Sequence, residues 1–332
     1  MINSQFHKTI SAVVVLFIFS IFSTNAFAQS NWSAYTYNPA ATVAPVKGVM
    51  RLAAAVEKET GGTFKMRTHI GGSLPINAQN ITQAVADNVV QFGDDGFFQG
   101  SIPIAGIMRL PMLITTNEQM DKASNIIYPY LEAAYAKKGI VLLGYYHYPV
   151  QTAWSRKPLN SLDDLRNLKM RVTSPEQGEF VRRFGGLPVT VSSSEVPSAL
   201  DRGVVDGVFT AASGGGKIWK DLLKTQYAIG ANYFDAVLIA NNEAFDKLPP
   251  DTQKLLRARA AEAGAWINAE AQRDEGEVSV KLVAEGIVMT PVKESDVEEG
   301  RKRLAPYWDE WAKAKGPEAV AVLAKIRAAI KP

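Results

Sequence analysis

The sequence contains no cysteine and only three histidines among its 332 residues. Without cysteine the chain can form no disulfide, no thiolate metal site and no lipid-modified cysteine behind a leader. His7 lies in the N-terminal segment, which leaves His69 and His147. No H-E-x-x-H occurs, so nothing supports a zinc site. No G-x-S-x-G nucleophile elbow occurs either. A charge excess of one sign is also missing: 36 Lys and Arg face 33 Asp and Glu, for a net charge of +3. There is no basic block or acidic tail, so nucleic acid is not an expected partner. The apolar run from Ile10 to Phe22 is too short to span a membrane.

That run follows Lys8 and precedes Ala26-Phe27-Ala28, a small-x-small cleavage site. This is the layout of a secretory signal peptide covering residues 1–28. An uncleaved anchor is the alternative. Cleavage leaves 304 residues beginning at Gln29, free in a periplasmic space rather than tethered, with a net charge of +2 because the leader carries one Lys and no acid. A chain of that length exceeds one typical core and predicts two domains.

Apolar alternation predicts strands in "NWSAYTYN" (31–38), "TFKMRTHI", "VVQFG", "IVLLGYYHY", "NLKMRVT", "LPVTVS", "VVDGVFT" and "AVLIA". "VQTAWS" reads as an extended crossing segment. Helices fall between these strands, so the pattern predicts an α/β fold built on a parallel sheet. "AVADNVVQFG" (84–93) and "SALDRGVVDG" (198–207) echo each other, each passing from helix through an Asn or Gly stop into Val-Val. The echo suggests two domains of similar build. From Pro249 to Glu285 one helical pattern continues; unbroken, about 35 residues would span roughly 50 Å. A bend near Gly264 or Gly276 is the alternative. The expected division is 29–150 plus about 238–270 in domain I, and 151–237 plus about 271–332 in domain II, with the long helix crossing both.

In "NLKMRVTSPEQ", Leu168, Met170 and Val172 share a buried face, and Arg171 points to the opposite one. A solvated charge on an edge strand would explain it; so would a ligand contact. "SPEQ" is a capping box with Ser174 as N-cap, Pro175 at the first helical position and Gln177 three residues on. "GGGK" (214–217) lacks the spacing and the Ser/Thr of a phosphate-binding loop and reads as a flexible turn. "GDDG" (93–96) places two adjacent carboxylates at a strand end and reads first as a turn, with a metal or acid-base role as the alternative. Aromatic residues crowd several strand ends: Trp32, Tyr35 and Tyr37, then Tyr145, Tyr146 and Tyr148 with Trp154 beyond, then Tyr233 and Phe234. Open α/β sheets bind ligands outside the carboxyl ends of strands. One arginine and several aromatics in a cleft between domains suit a small organic anion.

The patterns D-L-x-x-L-K-x-R-V, G-G-x-P-V, E-V-x-x-A-L-x-x-G-V-V-D-G and the later "NNEAFDKLPPDTQKLL" occur in order over most of residues 30–290. In these the chain resembles the solute-binding subunits of tripartite ATP-independent periplasmic (TRAP) transporters, the family that includes dicarboxylate-binding proteins. The resemblance implies a periplasmic-binding-protein-like fold of two α/β domains that close on an organic acid. It also implies delivery of the acid to a pair of integral-membrane subunits driven by a sodium gradient. The arginine of the K-x-R-V strand, Arg171 here, would anchor the carboxylate.

Two positions depart from the pattern of many relatives. Val150-Gln151 stands where a second arginine is common, and Phe209-Thr210 where Glu-Asn is common. The expected ligand is therefore a monocarboxylate with an apolar or aromatic body. The candidate ligand-binding residues are Arg171, Thr210, Gln151, Trp154, Tyr37, Asp95, Phe209, Tyr233 and Phe234. No cofactor, metal or catalytic residue is expected, and the protein is expected to act as a monomer. Two other functions remain open: presenting a bound acid to a sensor kinase, and an exported enzyme acting on small acids.

Overall fold

The computed structural model describes residues 29–331. The expected leader and its cleavage site lie outside the described residues. The chain opens with β1 (Ser30–Thr36), α1 (Ala44–Glu59), β2 (Phe64–His69), α2 (Ile81–Ala86), β3 (Phe92–Asp95) and α3 (Asn117–Ala136). Next come β4 (Ile140–Ser155), β5 (Lys169–Val172), α4 (Pro175–Arg183), β6 (Leu187–Thr190), α5 (Val196–Asp201) and β7 (Gly207–Thr210). The rest is β8 (Thr225–Asn241), α6 (Asn242–Asp246), α7 (Pro250–Ala284), β9 (Val288–Thr290), α8 (Glu294–Lys315) and α9 (Pro317–Ala329).

The fold is α/β, with one sheet in the order β2-β1-β3-β8-β4-β7-β5-β6 and β9 added to β8. The sheet is mixed, not parallel as the alternation of strands and helices predicts. β3 with β8, β8 with β4 and β4 with β7 are antiparallel. The reason lies in β4 and β8. Each is long enough to carry the chain from one end of the molecule to the other, one going and one returning. β4 joins two segments that the sequence reads separately. Pro149 does not break it, because the ladder slips register between Tyr148 and Val150, and a bulge tolerates a residue without an N–H.

The sequence echo has a structural counterpart. α2 leads into β3 and α5 into β7, with Asn88 (φ 58°) and Gly203 (φ 67°) making the left-handed turns. β3 lies between parallel β1 and antiparallel β8, and β7 between parallel β5 and antiparallel β4. The two halves thus share a strand order, β2-β1-β3-β8 and β6-β5-β7-β4.

α7 is one unbroken helix of 35 residues. Gly264 serves close approach, not a bend: a Cβ there would sit 2.7 Å from the Tyr145 carbonyl oxygen on β4. α7 packs on β4 and α1 at its start, and Leu282 near its end joins the apolar core of the other half. Three apolar cores result. One joins β1–β3, α1 and α3. One lies between β5, α4 and the start of α8, with Phe180, Phe209 and Leu304 inside it. The third surrounds Trp154, Trp219 and Leu282. The segment 271–332, expected in the second domain, packs on both halves. Leu282, Ile287 and Leu304 pack with the second half, but Trp311, Val322, Leu323 and Ile326 complete the core of the first. α8 therefore crosses the molecule, and α9 packs on α3.

Candidate ligand-binding site

β5 lies between β6 and β7, so Arg171 sits on an interior strand, paired with Val189 and Val208. Its side chain is 2 % exposed. The solvated-edge explanation is thereby excluded. As predicted, Ser174 Oγ accepts from the Gln177 amide (3.2 Å) and starts α4. The Gln177 side chain turns back to the Thr173 amide (2.8 Å), one residue earlier than a capping box requires. This cap ends β5 and turns the chain away just after Arg171.

Arg171 faces a small cavity between the two halves. One wall comes from the first half: Tyr37 and Asn38 beyond β1, Tyr148 on β4 and Phe234 on β8. The opposite wall comes from Arg171, Thr173, Ser193, Thr210 and the turn from Ala211 to Trp219. Tyr37, Thr173 and Ala211 immediately follow the carboxyl ends of β1, β5 and β7, where the topology places a ligand.

Arg171 Nε donates to Val191 O (2.9 Å) and Nη2 to Ser193 Oγ (3.3 Å). Nη1 makes no hydrogen bond, and no carboxylate lies within 4.0 Å, among the described residues. The guanidinium is flanked by Trp219 (5.5 Å to the ring centre) and Phe97 (5.7 Å). Burial pushes its pKa down to about 9, Tyr37 opposes that and Arg109 adds to it. It therefore stays charged at neutral pH. It is the one charged residue lining the cavity among the described residues.

A second arginine lies nearby but is occupied. Arg109 Nε meets Asp235 Oδ1 at 2.6 Å with both side chains fully buried, and its guanidinium stacks 4.2 Å from the centre of Phe234. Behind Tyr37 lies an acidic pair. Asp94 accepts from Thr36 Oγ1 (2.6 Å) and Tyr146 Oη (2.6 Å); Asp95 accepts from Thr82 Oγ1 (2.7 Å) and the Phe97 amide (2.8 Å). Burial raises Asp94 to about 7 and Asp95 to about 6 despite those bonds. Burial, reinforced by Asp94, also raises the Tyr37 phenol far above its ordinary value.

The turn after β7 is fixed from α7. Glu275 accepts from the amides of Ala212 (2.9 Å) and Ser213 (2.8 Å) and from Ser213 Oγ (2.7 Å). Lys217 reaches Asp274 (3.0 Å) and, in the first half, the Thr42 carbonyl (3.1 Å). "GGGK" is thus a cavity wall tied at both ends, not a flexible turn.

Of the nine candidate residues, Arg171, Thr210, Gln151, Tyr37 and Phe234 line the cavity. Four do not, and strand alternation explains most of it. Phe209, adjacent to Thr210, points to the other face and packs on Phe180. Tyr233, adjacent to Phe234, turns towards His147 and donates to Asn117. Asp95 faces α2. Trp154 lies behind the wall, donating to Thr152 Oγ1 (2.9 Å) and Thr210 O (3.0 Å). The sequence reading misses Asn38, Thr173, Ser193, Ile218 and Trp219, which lie beyond the ends of β1, β5 and β6 and in the turn after β7. Tyr148 belongs to one of the aromatic clusters, and its parity with Tyr146 is the signal that could have found it.

The family described as "Bacterial extracellular solute-binding protein, family 7" matches residues 36–314. The ectoine/5-hydroxyectoine-binding periplasmic protein UehA of Ruegeria pomeroyi is 28% identical over 71% of this chain and 71% of its own. The C4-dicarboxylate-binding periplasmic protein DctP of Rhodobacter capsulatus is 25% identical over 83% and 85%. Among solved structures, DctP6 of Bordetella pertussis, a solute receptor binding pyroglutamic acid, superimposes with a TM-score of 0.84 at 25% identity, over 90% of this chain and 100% of its own. A TRAP periplasmic solute-binding protein of Shewanella oneidensis with bound succinate gives 0.84 at 20% identity, over 92% and 100%. The chain belongs to the family 7 bacterial extracellular solute-binding proteins, the solute-binding subunits of TRAP transporters.

Proposed function

We propose that this protein is a periplasmic receptor that captures a small monocarboxylic acid with an apolar body and delivers it to integral-membrane TRAP subunits. The observation that carries the reading is Arg171: a buried guanidinium with no carboxylate beside it among the described residues, opening into a cavity between two halves. A buried cation without a counter-charge is costly, and a bound carboxylate would compensate it through a two-pronged hydrogen-bonded pair. Tyr37, Phe234 and Trp219 would provide flat apolar walls for the rest of the ligand.

Charge count favours a single carboxylate. A second one would lie in the same cavity with no cation of its own, since Arg109 is neutralised by Asp235. Arg156, which could have supplied one, instead donates to the Leu200 carbonyl. The pyroglutamic acid bound by DctP6 is a cyclic monocarboxylate and fits this reading. The reading is of a receptor that closes and releases, with no turnover, exported by cleavage after Ala28. The two proposed domains exchange chain at β4, β8, α7 and α8.

Calorimetry tests it. Branched, aromatic and cyclic monoacids should bind, and succinate, malate and fumarate should not. Arg171→Ala should cost about 2–5 kcal/mol, roughly thirty- to several-thousand-fold in affinity, and Arg171→Lys should recover only part. Tight diacid binding without monoacid binding refutes the ligand class. A loss under about threefold in Arg171→Ala makes the arginine structural.

A further inference from the structure

With a carboxylate on Arg171, a premise taken from the proposed function, the rest of the cavity has the remainder of the ligand to recognise. Most polar atoms of the lining are already engaged. Gln151 Nε2 donates to the Pro149 carbonyl (2.9 Å). Thr210 Oγ1 accepts from the Gly215 amide (2.9 Å). Thr173 Oγ1 is bonded to Gln177 (3.2 Å), and Ser193 Oγ accepts from Arg171. The Gln151 amide nitrogen and Thr210 Oγ1, both on candidate residues from the sequence, thus already hold bonds within the protein.

Apart from Arg171, two fully buried lining atoms have no partner among the described residues. Asn38 Nδ2 and Tyr148 Oη are buried and make no hydrogen bond. Each residue is 5 % exposed. Native proteins leave few buried polar groups unpaired, and two such groups facing one cavity point to an absent partner. Both lie near the Tyr37 hydroxyl, but neither meets it in hydrogen-bond geometry.

The direction of their hydrogens follows from Asp94. Its carboxylate accepts from Thr36 and Tyr146, so the single Tyr146 hydrogen is committed to it. In the 3.3 Å contact between the Tyr146 and Tyr37 hydroxyls, Tyr37 is then the donor whenever Asp94 is ionised. Tyr37 keeps only lone pairs. The Tyr148 hydroxyl hydrogen and the Asn38 amide hydrogens remain as donors at the cavity, seeking an acceptor.

We infer that the ligand is a monocarboxylic acid carrying a second, neutral acceptor oxygen, such as a keto, lactam or hydroxyl group. Arg171, from the second half, takes the carboxylate. Asn38 and Tyr148, from the first, donate to the neutral oxygen. The acid then bridges the two halves through opposite ends, and recognition of the second oxygen is coupled to closure. An acid of the same skeleton without that oxygen leaves both donors unpaired, and sites of this kind discriminate strongly.

The test uses matched acids and calorimetry: 2-oxo-3-methylbutanoate against 3-methylbutanoate, and pyroglutamate against cyclopentanecarboxylate. Wild-type protein should prefer the oxygen-bearing member of at least one pair by about tenfold or more. Tyr148→Phe and Asn38→Ala should compress that ratio towards one, with thermal melts reporting that each variant is folded. The wild-type ratio stands whether or not the variants fold. If both members of each pair bind equally and Arg171→Ala abolishes binding, this inference fails and the acid reading survives. If no carboxylate binds, or Arg171→Ala binds as wild type does, the acid reading itself fails and takes this inference with it. A preserved ratio in both folded variants assigns the second oxygen elsewhere and overturns the roles given to Asn38 and Tyr148.

Discussion

Arg109 and Asp235 stand 126 positions apart and meet as an ion pair that solvent does not reach. The same guanidinium donates to the Gly96 carbonyl (2.7 Å) and, across the interface, to the Thr173 carbonyl (3.3 Å) just beyond β5. Asp235 also accepts from the Tyr145 hydroxyl (3.0 Å). The pair pins the chain around Arg109 beneath Phe234 and fixes one aromatic wall of the cavity. Asp235→Ala would strand the guanidinium in the interior, at a cost of about 3–5 kcal/mol. Calorimetric melting should show Tm lowered by roughly ten degrees. A change of less than about two degrees would mean that water reaches Arg109 and that the pair contributes little.

Gly215 tests the shape of the cavity separately from its charge. A Cβ there would lie 2.1 Å from the Trp219 ring and 2.6 Å from Thr210 Oγ1. To admit it, Trp219, part of the cavity wall, must shift. Gly215→Ala should lower ligand affinity about tenfold or more while costing about 1–3 kcal/mol of stability. Gly214→Ala is the comparison, because its Cβ meets only ordinary contact with Tyr148 at 3.4 Å. Equal affinities for the two variants would show that the turn rearranges freely.

Asp94 makes stability depend on pH. Burial raises its carboxyl from 3.8 to about 7 in the folded chain. In the unfolded chain the group returns to its ordinary value of about 3.9. Between those values the native state binds more protons than the unfolded state, so stability falls as pH rises through the window. Above the window the loss is constant, of order a few kcal/mol. Asp95, raised to about 6, acts with the same sign over a narrower range. Asn at position 94 can still accept from Tyr146 and donate to Thr36. Melts from pH 4 to pH 8 should therefore show a shallower decline for Asp94→Asn than for wild type, with the variant the more stable at the alkaline end. Parallel curves would mean that Asp94 titrates at its ordinary value.

The arginine was legible in the sequence because a charge interrupts an alternating apolar strand just before a strong helix cap. The α/β class and the long α7 were legible from periodicity. The antiparallel course of β4 and β8 was not, because Pro149 and the bulge after it disguise one long strand as two. Strand parity was underused: Phe209 with Thr210, and Tyr233 with Phe234, are neighbours on single strands, so only one of each pair can face the cavity. Asn38, Ser193 and Trp219 were out of reach for a different reason. They follow element ends, where the positions of side chains depend on tertiary contacts that no local pattern encodes. The role of α8 was hidden likewise, since nothing local announces that Trp311 Nε1 will donate to Glu176 Oε1 (2.9 Å) on the far side of the molecule.

The course of α8 and α9 also bears on how the chain is made. Trp32 and Ala34 open a core that Trp311, Leu323 and Ile326 close. A ribosome releases the first residues of that core long before the last. The first half therefore waits, with apolar surface uncovered, until almost the whole polypeptide has been synthesised. Contacts of such separation slow folding. A chain assembled in this order remains threadable until its final helix emerges, and a truncation within the last twenty residues would leave the first half, not the nearer second half, without its covering layer.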